Sequence, residues 1–480
     1  TAWDVSAQRD NSIIAWYTTN ANGTLKVYIG SDYEIFGNYN SSRLFAYVGT
    51  STSCTSAETI TNISLLNVGS VVNMYAMFDG TGNVSMTKLD LGSNFDTSNV
   101  TNMGAMFWNT GYYKMTTLNL GSSFNTSKVT DMSHMFYGTG CMAMTGLDLK
   151  EHFYTSKVTN MQYMFYKTGY TAMTALNLGG NFDTSKVTNM QNMFYQTGRQ
   201  KLTTLDLGSK FNTSKVTNMA GMFNWMGALK TLNLGSNFDT SNVTNMHGMF
   251  WGTGNSGITS FSLGTKFNTS KVENMNSMFY DFALNIQTLD LGDLFYTTNV
   301  KDMANMFRGA GAIEMTNLDL GPAFIQIPDG TITETASDGT TSTHNAHQGM
   351  FTNTGKSGAI TIYAPESIFY SKNDFKLSSS TNASAINYTR GTIDAKYRTE
   401  WKKESTTIDT TTASNPKIKI TLRGTTNTEL AKEEYTSDVT SLLNQQNLAN
   451  NIKILIDGTD ITSKVTKEIG SATQTTNATT

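Results

Sequence analysis

Cysteine is almost missing from this chain: Cys54 and Cys141 are the only two in 480 residues. That excludes a disulfide scaffold, and the single bridge the pair allows does not fix the compartment. Charge is scarce as well. Charged residues make up 15% of the chain, and 34 basic side chains face 37 acidic ones. The basic footprint that phosphate binding needs is absent, so no nucleic-acid partner is expected. No apolar run approaches the roughly 18 residues of a membrane span. Histidine occurs only five times, leaving little material for acid-base chemistry. The opening "TAWDVSAQRD" has neither a basic nor an apolar leader region and reads as a mature segment from which an export signal has been removed.

What the chain has in abundance is repetition. The tract "FNTSKVTDMSHMF" (124–136) returns as "FYTSKVTNMQYMF" at 153 and "FDTSKVTNMQNMF" at 182. Met-Phe pairs place Phe78, Phe107, Phe136, Phe165, Phe194, Phe223, Phe250, Phe279 and Phe307 at steps of 29, 29, 29, 29, 29, 27, 29 and 28. A degenerate copy, "HQGMF", sets Phe351 a further 44 residues on, one period plus an insertion at about 325–347. A fixed period of this size is the signature of a solenoid.

Each unit has two halves. "LTTLDLG" (202–208) ends in apolar-polar alternation, as expected of a short strand with one buried face. In "FNTSKVTNMAGMF" (211–223), Val216, Met219, Met222 and Phe223 are spaced three, three and one, which predicts a short strand passing into a helical or 3-10 turn. One coil has too few core side chains to offset the entropy of ordering it, whereas stacked coils share apolar faces and complete each other's hydrogen bonds. All 26 methionines lie between Met74 and Met350, nineteen of them in the two repeated slots, which marks them as unbranched core fillers rather than metal or redox ligands.

The tract "FDTSNVTNMGAMF" (95–107) with its following "LNLG" resembles the bacterial surface-protein repeat, DUF285-type, of BspA-like leucine-rich repeat proteins, over about residues 60–362. The resemblance implies a leucine-rich-repeat-like solenoid, secretion and attachment to the bacterial cell surface and wall. It also implies adhesion to a host extracellular protein, mucin, glycan or other bacterial surface proteins, without enzymatic activity or cofactor. The coils here are longer than in that family, with additions such as "GTGCMAM" and "NTGYYKM" that enlarge one edge.

The domain reading follows. Residues 1–60 form an N-terminal β cap, 61–362 a solenoid of about ten coils, 363–413 an irregular linker, and 414–480 a small Ig-like β module expected to continue beyond residue 480. Comparing copies separates positions fixed by packing from positions left open. After the Met-Phe pair stand Trp108, Tyr137, Tyr166, Tyr195, Trp251 and Tyr280, whose rings either stack on sugars and partners or pack on one another. Lys128, Lys157, Lys186 and Lys215 form a second row that would suit an anionic sugar or simply be solvated.

Asp90, Asn119, Asp148, Asn177 and their successors form a polar ladder along the strands, and the Asn of "VTNM" is expected to satisfy turn backbone. The varied pairs Gly104-Ala105, Ser133-His134, Gln162-Tyr163, Gln191-Asn192 and His247-Gly248 are expected to face solvent. Thr97, Thr126, Thr155 and Thr184 suggest an ice-binding row, which the flanking Lys and Asp spoil. His344 and His347 lack a third ligand in the sequence, so no metal is expected. Asn-x-Ser/Thr triplets inside the coils favour a bacterial origin. The leading reading is a non-catalytic extracellular adhesin. The alternatives are a stalk displaying another domain and, with less support, a β-helix polysaccharide-degrading enzyme, which would need an acid-base constellation that breaks the repeat.

Overall fold

Three short polar side chains turn the chain in most coils. In the computed structural model, Asp90 Oδ1 accepts the Gly92 N–H at 3.0 Å, Asp96 Oδ1 that of Ser98 at 2.8 Å, and Asn102 Oδ1 that of Gly104 at 2.9 Å. One period later Asn119, Asn125 and Asp131 do the same for Gly121, Ser127 and Ser133. Such Asx turns offer the backbone an alternative to helix. The structure describes residues 2–5, 9–53, 60–335, 340–356, 360–364, 401–409, 417–424, 455–456 and 459–460. It divides into two units, Thr1–Thr392 and Ile393–Thr480.

The first unit opens with an antiparallel sheet of Ala2–Asp4 (β1), Ile14–Thr19 (β2) and Leu25–Gly30 (β3). Ile35–Phe36 (β4) then pairs in parallel with Leu66–Asn67 (β5). Phe45 stacks on Phe78 at 5.5 Å, so part of the expected cap is itself an incomplete coil. Parallel pairs follow: Lys88–Asp90 (β6) with Thr117–Asn119 (β7), Gly146–Asp148 (β8) with Ala175–Asn177 (β9), and Thr204–Asp206 (β10) with Thr231–Asn233 (β11). Thr288–Asp290 (β12), Asn317–Asp319 (β13) and Thr361–Tyr363 (β16) make a last sheet, while Thr331–Thr335 (β14) and Thr341–Asn345 (β15) form a hairpin in the insertion.

In the three two-stranded sheets β6–β7, β8–β9 and β10–β11, each pair is an Asp strand followed by an Asn strand. Asn119, Asn177 and Asn233 each donate a side-chain N–H back to Asp90, Asp148 and Asp206, at 2.9, 3.0 and 3.2 Å. After Asn119 and Asn177 the next coil offers the Asp148 and Asp206 carboxylates, which have no proton to give, and there the ladder lapses.

The Met-Phe half is where the structure departs from the expected helical turn. Ile63–Leu65 is the only helix among the described residues, a single 3-10 turn. Instead, alternate N–H groups serve two purposes. Those of Ala105, Phe107 and Asn109 donate to the carbonyls of Ser133, Met135 and Tyr137 in the next coil, at 2.7–2.8 Å. Those of Met106, Trp108 and Thr110 bend back three residues to Met103, Ala105 and Phe107. A helix points its N–H groups along its own axis, toward carbonyls four residues back or, in the first turn, off its end, and not sideways to the neighbouring coil. The alternation requires left-handed backbone at Ala105 and Asn109, with φ of 54° and 50°.

The core is dry and columnar. Eleven Phe rings from Phe45 to Phe351 stack at 5.4–5.8 Å. A second Phe column runs from Phe124 to Phe324 at 6.1–6.4 Å. Methionines of both slots are fully buried, Met132 and Met161 included. Two buried threonine columns clamp each coil in opposite directions. The Thr97, Thr126, Thr155 and Thr184 hydroxyls donate forward to the carbonyls of Asn125, Tyr154, Asp183 and Asn212 at 2.7–2.8 Å. Those of Thr110, Thr139 and Thr168 donate backward to Phe78, Phe107 and Phe136. Thr97 and its equivalents are therefore latches in the interior, and the suggested ice-binding row is not at the surface.

In the second unit, Trp401–Asp409 (β17) pairs antiparallel with Lys417–Gly424 (β18), and Leu455–Ile456 (β19) with Thr459–Asp460 (β20). β17 falls in the stretch read as irregular linker. The Ig-like reading of 414–480 otherwise lies outside the described residues, as does Cys54; Cys141 is a buried free thiol.

Candidate functional site

The residue after each Met-Phe pair leaves the core, and Trp108, Tyr137, Tyr166, Tyr195, Trp251 and Tyr280 are all half-buried. Their rings cover one another. Tyr137 stacks on Tyr166 at 4.4 Å and Tyr166 on Tyr195 at 4.5 Å; Trp108 meets Tyr137 at 4.9 Å and Trp251 meets Tyr280 at 4.8 Å. Burial above all holds the Tyr137, Tyr166 and Tyr195 phenols above their usual range, and the neighbouring phenols add to this for Tyr166. Between Tyr137 and Tyr195 the row therefore presents edges and hydroxyls, not open faces.

The varied pairs differ from expectation. Gly104, Ala105, Ser133 and Gly248 are buried, and His134, Gln162, Tyr163, Gln191, Asn192 and His247 are half-buried. The reason is the close return of the turn against the next coil. His134 lies between Trp108 at 5.1 Å and Tyr163 at 4.8 Å, and burial pushes its imidazole toward the neutral form. Gln162 and Gln191 accept amide protons from Asn189 and Asn218.

The aromatic column ends toward the N-terminus at Asp79, which takes the place of a ring. There a half-open cavity of about 570 Å³ is lined by Arg43, Tyr47, Tyr75, Asp79, Trp108 and Asn109 among others. Burial raises the Asp79 carboxyl above the ordinary carboxylate range, and its bond with the Tyr47 hydroxyl raises that phenol in turn. Arg43 sits 5.9 Å from the centre of the Tyr75 ring. Among the described residues the ring contacts of Trp108 are His134, stacked on it, and Tyr137, tilted by 36°. Sequence reasoning missed this site because Arg43 and Tyr47 belong to the unrecognised first coil; the break at Asp79 in an aromatic column was its one visible signal.

Lys128, Lys157, Lys186 and Lys215 are all exposed. Lys128 Nζ donates to Asn99 Oδ1 of the preceding coil at 2.6 Å, and Lys271 does the same to Asn242. Where Lys follows Asn, an amide carbonyl accepts the ammonium. Lys157, Lys186 and Lys215 have no such partner among the described residues.

At the other end of the array the insertion hairpin settles on the same flank. His344 Nε2 is 2.9 Å from Asp302 Oδ2, which also accepts the Asn276 amide at 3.0 Å. His347 turns away, its Nδ1 2.9 Å from the Pro328 carbonyl and 3.8 Å from Asp329. The HxxH spacing thus places only one of its two histidines in the cluster. The third group absent from the local sequence arrives from Asp302, 42 residues earlier.

Fold and flank together define a class: a repeat protein, a β-solenoid of about ten turns whose outer columns carry the variation. Four overlapping stretches, 51–145, 86–203, 170–263 and 231–320, match the family described as Mycoplasma protein of unknown function, DUF285. Together they span more than half of the chain, and the chain belongs to this family. It matches no curated protein sequence and no solved structure. Tandem matches on a solenoid support a bacterial surface-repeat family.

Proposed function

We propose that this chain is a non-catalytic recognition protein of a bacterial cell surface, an adhesin built on a BspA-like, leucine-rich-repeat-like scaffold. It is exported, held at the cell wall, and engages a host glycoprotein or mucin glycan. The carrying observation is the cavity where the aromatic column stops. It sets the Trp108 ring and the Tyr47 and Tyr75 phenols beside the polar groups of Arg43, Asp79 and Asn109. Apolar ring surface beside convergent donors and acceptors is what a sugar, apolar on its faces and hydroxylated at its rim, requires. The exposed Lys128, Lys157, Lys186 and Lys215 column offers acidic sugars a row of cations.

Two features favour recognition over chemistry and over a bare stalk. The aromatic and the lysine columns each run through four successive coils, Trp108 to Tyr195 and Lys128 to Lys215, which suits an extended ligand. The cavity departs from that repetition at a single place, which gives specificity a location. A glycan and glycoprotein array probed with the full chain should show salt-sensitive binding that falls at least tenfold in Trp108→Ala and in Asp79→Asn, with the circular dichroism unchanged. Binding that survives both substitutions removes the cavity from the account. Binding to nothing on the array would make the solenoid a stalk.

A further inference from the structure

The insertion brings together three metal-binding side chains that the sequence keeps far apart. In the hairpin, Ile332 stands opposite His344 and Glu334 opposite Ser342, so Glu334 and His344 share one face as diagonal neighbours. That face meets the coil at Asp302. One ligand atom from each of Asp302, Glu334 and His344 lies within 4.8 Å of the others.

We propose that Asp302, Glu334 and His344 bind a divalent transition-metal ion, zinc fitting best, and that the ion fastens the insertion hairpin to the solenoid. Tetrahedral zinc with bonds of about 2.0–2.2 Å holds its ligand atoms roughly 3.3–3.5 Å apart, so side-chain adjustments of about 1 Å suffice. An imidazole nitrogen with two carboxylates is a donor set for zinc and its neighbours rather than for calcium, which gathers six to eight oxygens.

The surroundings are arranged as metal sites are. The Asp302 side chain is only 4% exposed. Its Oδ1 accepts the Ala304 N–H at 2.9 Å and its Oδ2 the Asn276 amide at 3.0 Å, which fixes the carboxylate's orientation. Among the described residues no lysine or arginine pairs with this buried charge, and its ion-pair partner is His344. A second imidazole, His247, lies beside the cluster, close enough to feel Glu334, Asp302 and His344. The position of Asp302 is Asn in six of the eight coils from Asn102 to Asp302, so an acid is not what the turn demands.

The test uses full-length protein without a purification tag, stripped with a chelator and titrated with zinc chloride by calorimetry. One zinc per chain is expected, with thermal unfolding shifted upward and proteolysis within 331–345 slowed by the metal. Glu334→Gln and His344→Gln should each weaken binding tenfold or more. Glu334 is exposed, so its loss does not threaten folding, and Asp302→Asn restores the commoner coil residue and should also weaken binding. His347→Gln, which lies outside the cluster, should leave affinity unchanged. Absence of stoichiometric zinc in the native chain overturns the proposal, as does binding that His347→Gln abolishes and His344→Gln spares.

Discussion

A threonine in this molecule means two different things one column apart. The Thr213 hydroxyl is buried, donates to the Asp239 carbonyl at 2.7 Å and accepts the Asp239 N–H at 2.7 Å, so one side chain serves both backbone groups of a residue in the next coil. Thr188 is exposed and donates to the Thr159 carbonyl at 3.3 Å, where water can replace it. Thr213→Val keeps the shape and leaves the N–H and the carbonyl of half-buried Asp239 without this partner, at up to about 1–3 kcal/mol each. We expect it to lower the unfolding free energy by roughly 2–5 kcal/mol in urea titrations, while Thr188→Val stays within about 0.5 kcal/mol. Equal effects would mean that the buried latch contributes nothing beyond packing.

At the scale of an element, the corner after most strands of the array is a left-handed glycine, with Lys150 in its place after β8, and the glycines are not needed to the same degree throughout. Gly121 has φ of 78°, and a Cβ built on it would lie 1.8 Å from the Gly92 carbonyl oxygen of the preceding coil. Gly208 has nearly the same φ, 76°, but a Cβ there meets nothing within 4 Å. Gly208→Ala therefore carries only the left-handed penalty, about 1–2 kcal/mol. Gly121→Ala adds an overpacking cost of about 1–3 kcal/mol or a displaced coil, and should melt several degrees lower than Gly208→Ala in a paired calorimetric scan. If the two melt together, the coils separate at that corner more easily than the contact implies.

The same corners show how much of an element the sequence reveals. Asx turns and strand ends are short-range and could be read from "LDLG" and "FDTS". The Met-Phe half could not, because its spacing of three suits a helix equally well. What decides against helix is the demand of the neighbouring coil for every second N–H, a tertiary requirement with no local signature.

For the molecule as a whole, period and core were legible because each coil must present the same side chains to identical neighbours. The candidate sites were less so, since both arise where that rule is broken, at Asp79 near one end and at the hairpin of 331–345 near the other. Between those breaks the array is close to one-dimensional: Phe136 meets Phe107 and Phe165 at 5.5 Å on either side, and each interior coil repeats the arrangement. Stability of such an array is a sum of coil terms and nearest-neighbour interfaces. Deleting residues 137–165, one whole period, joins Phe136 to Tyr166 and restores every column in register. Deleting 137–151 removes Met144, Leu147 and Leu149 from the core and runs one Met-Phe half directly into the next. The first variant should melt in one cooperative transition a few degrees below the parent, and the second should lose cooperativity and bind a hydrophobic dye. If the whole-period deletion fares as badly as the partial one, coils are not interchangeable, and the columns cannot be treated as a continuous recognition surface.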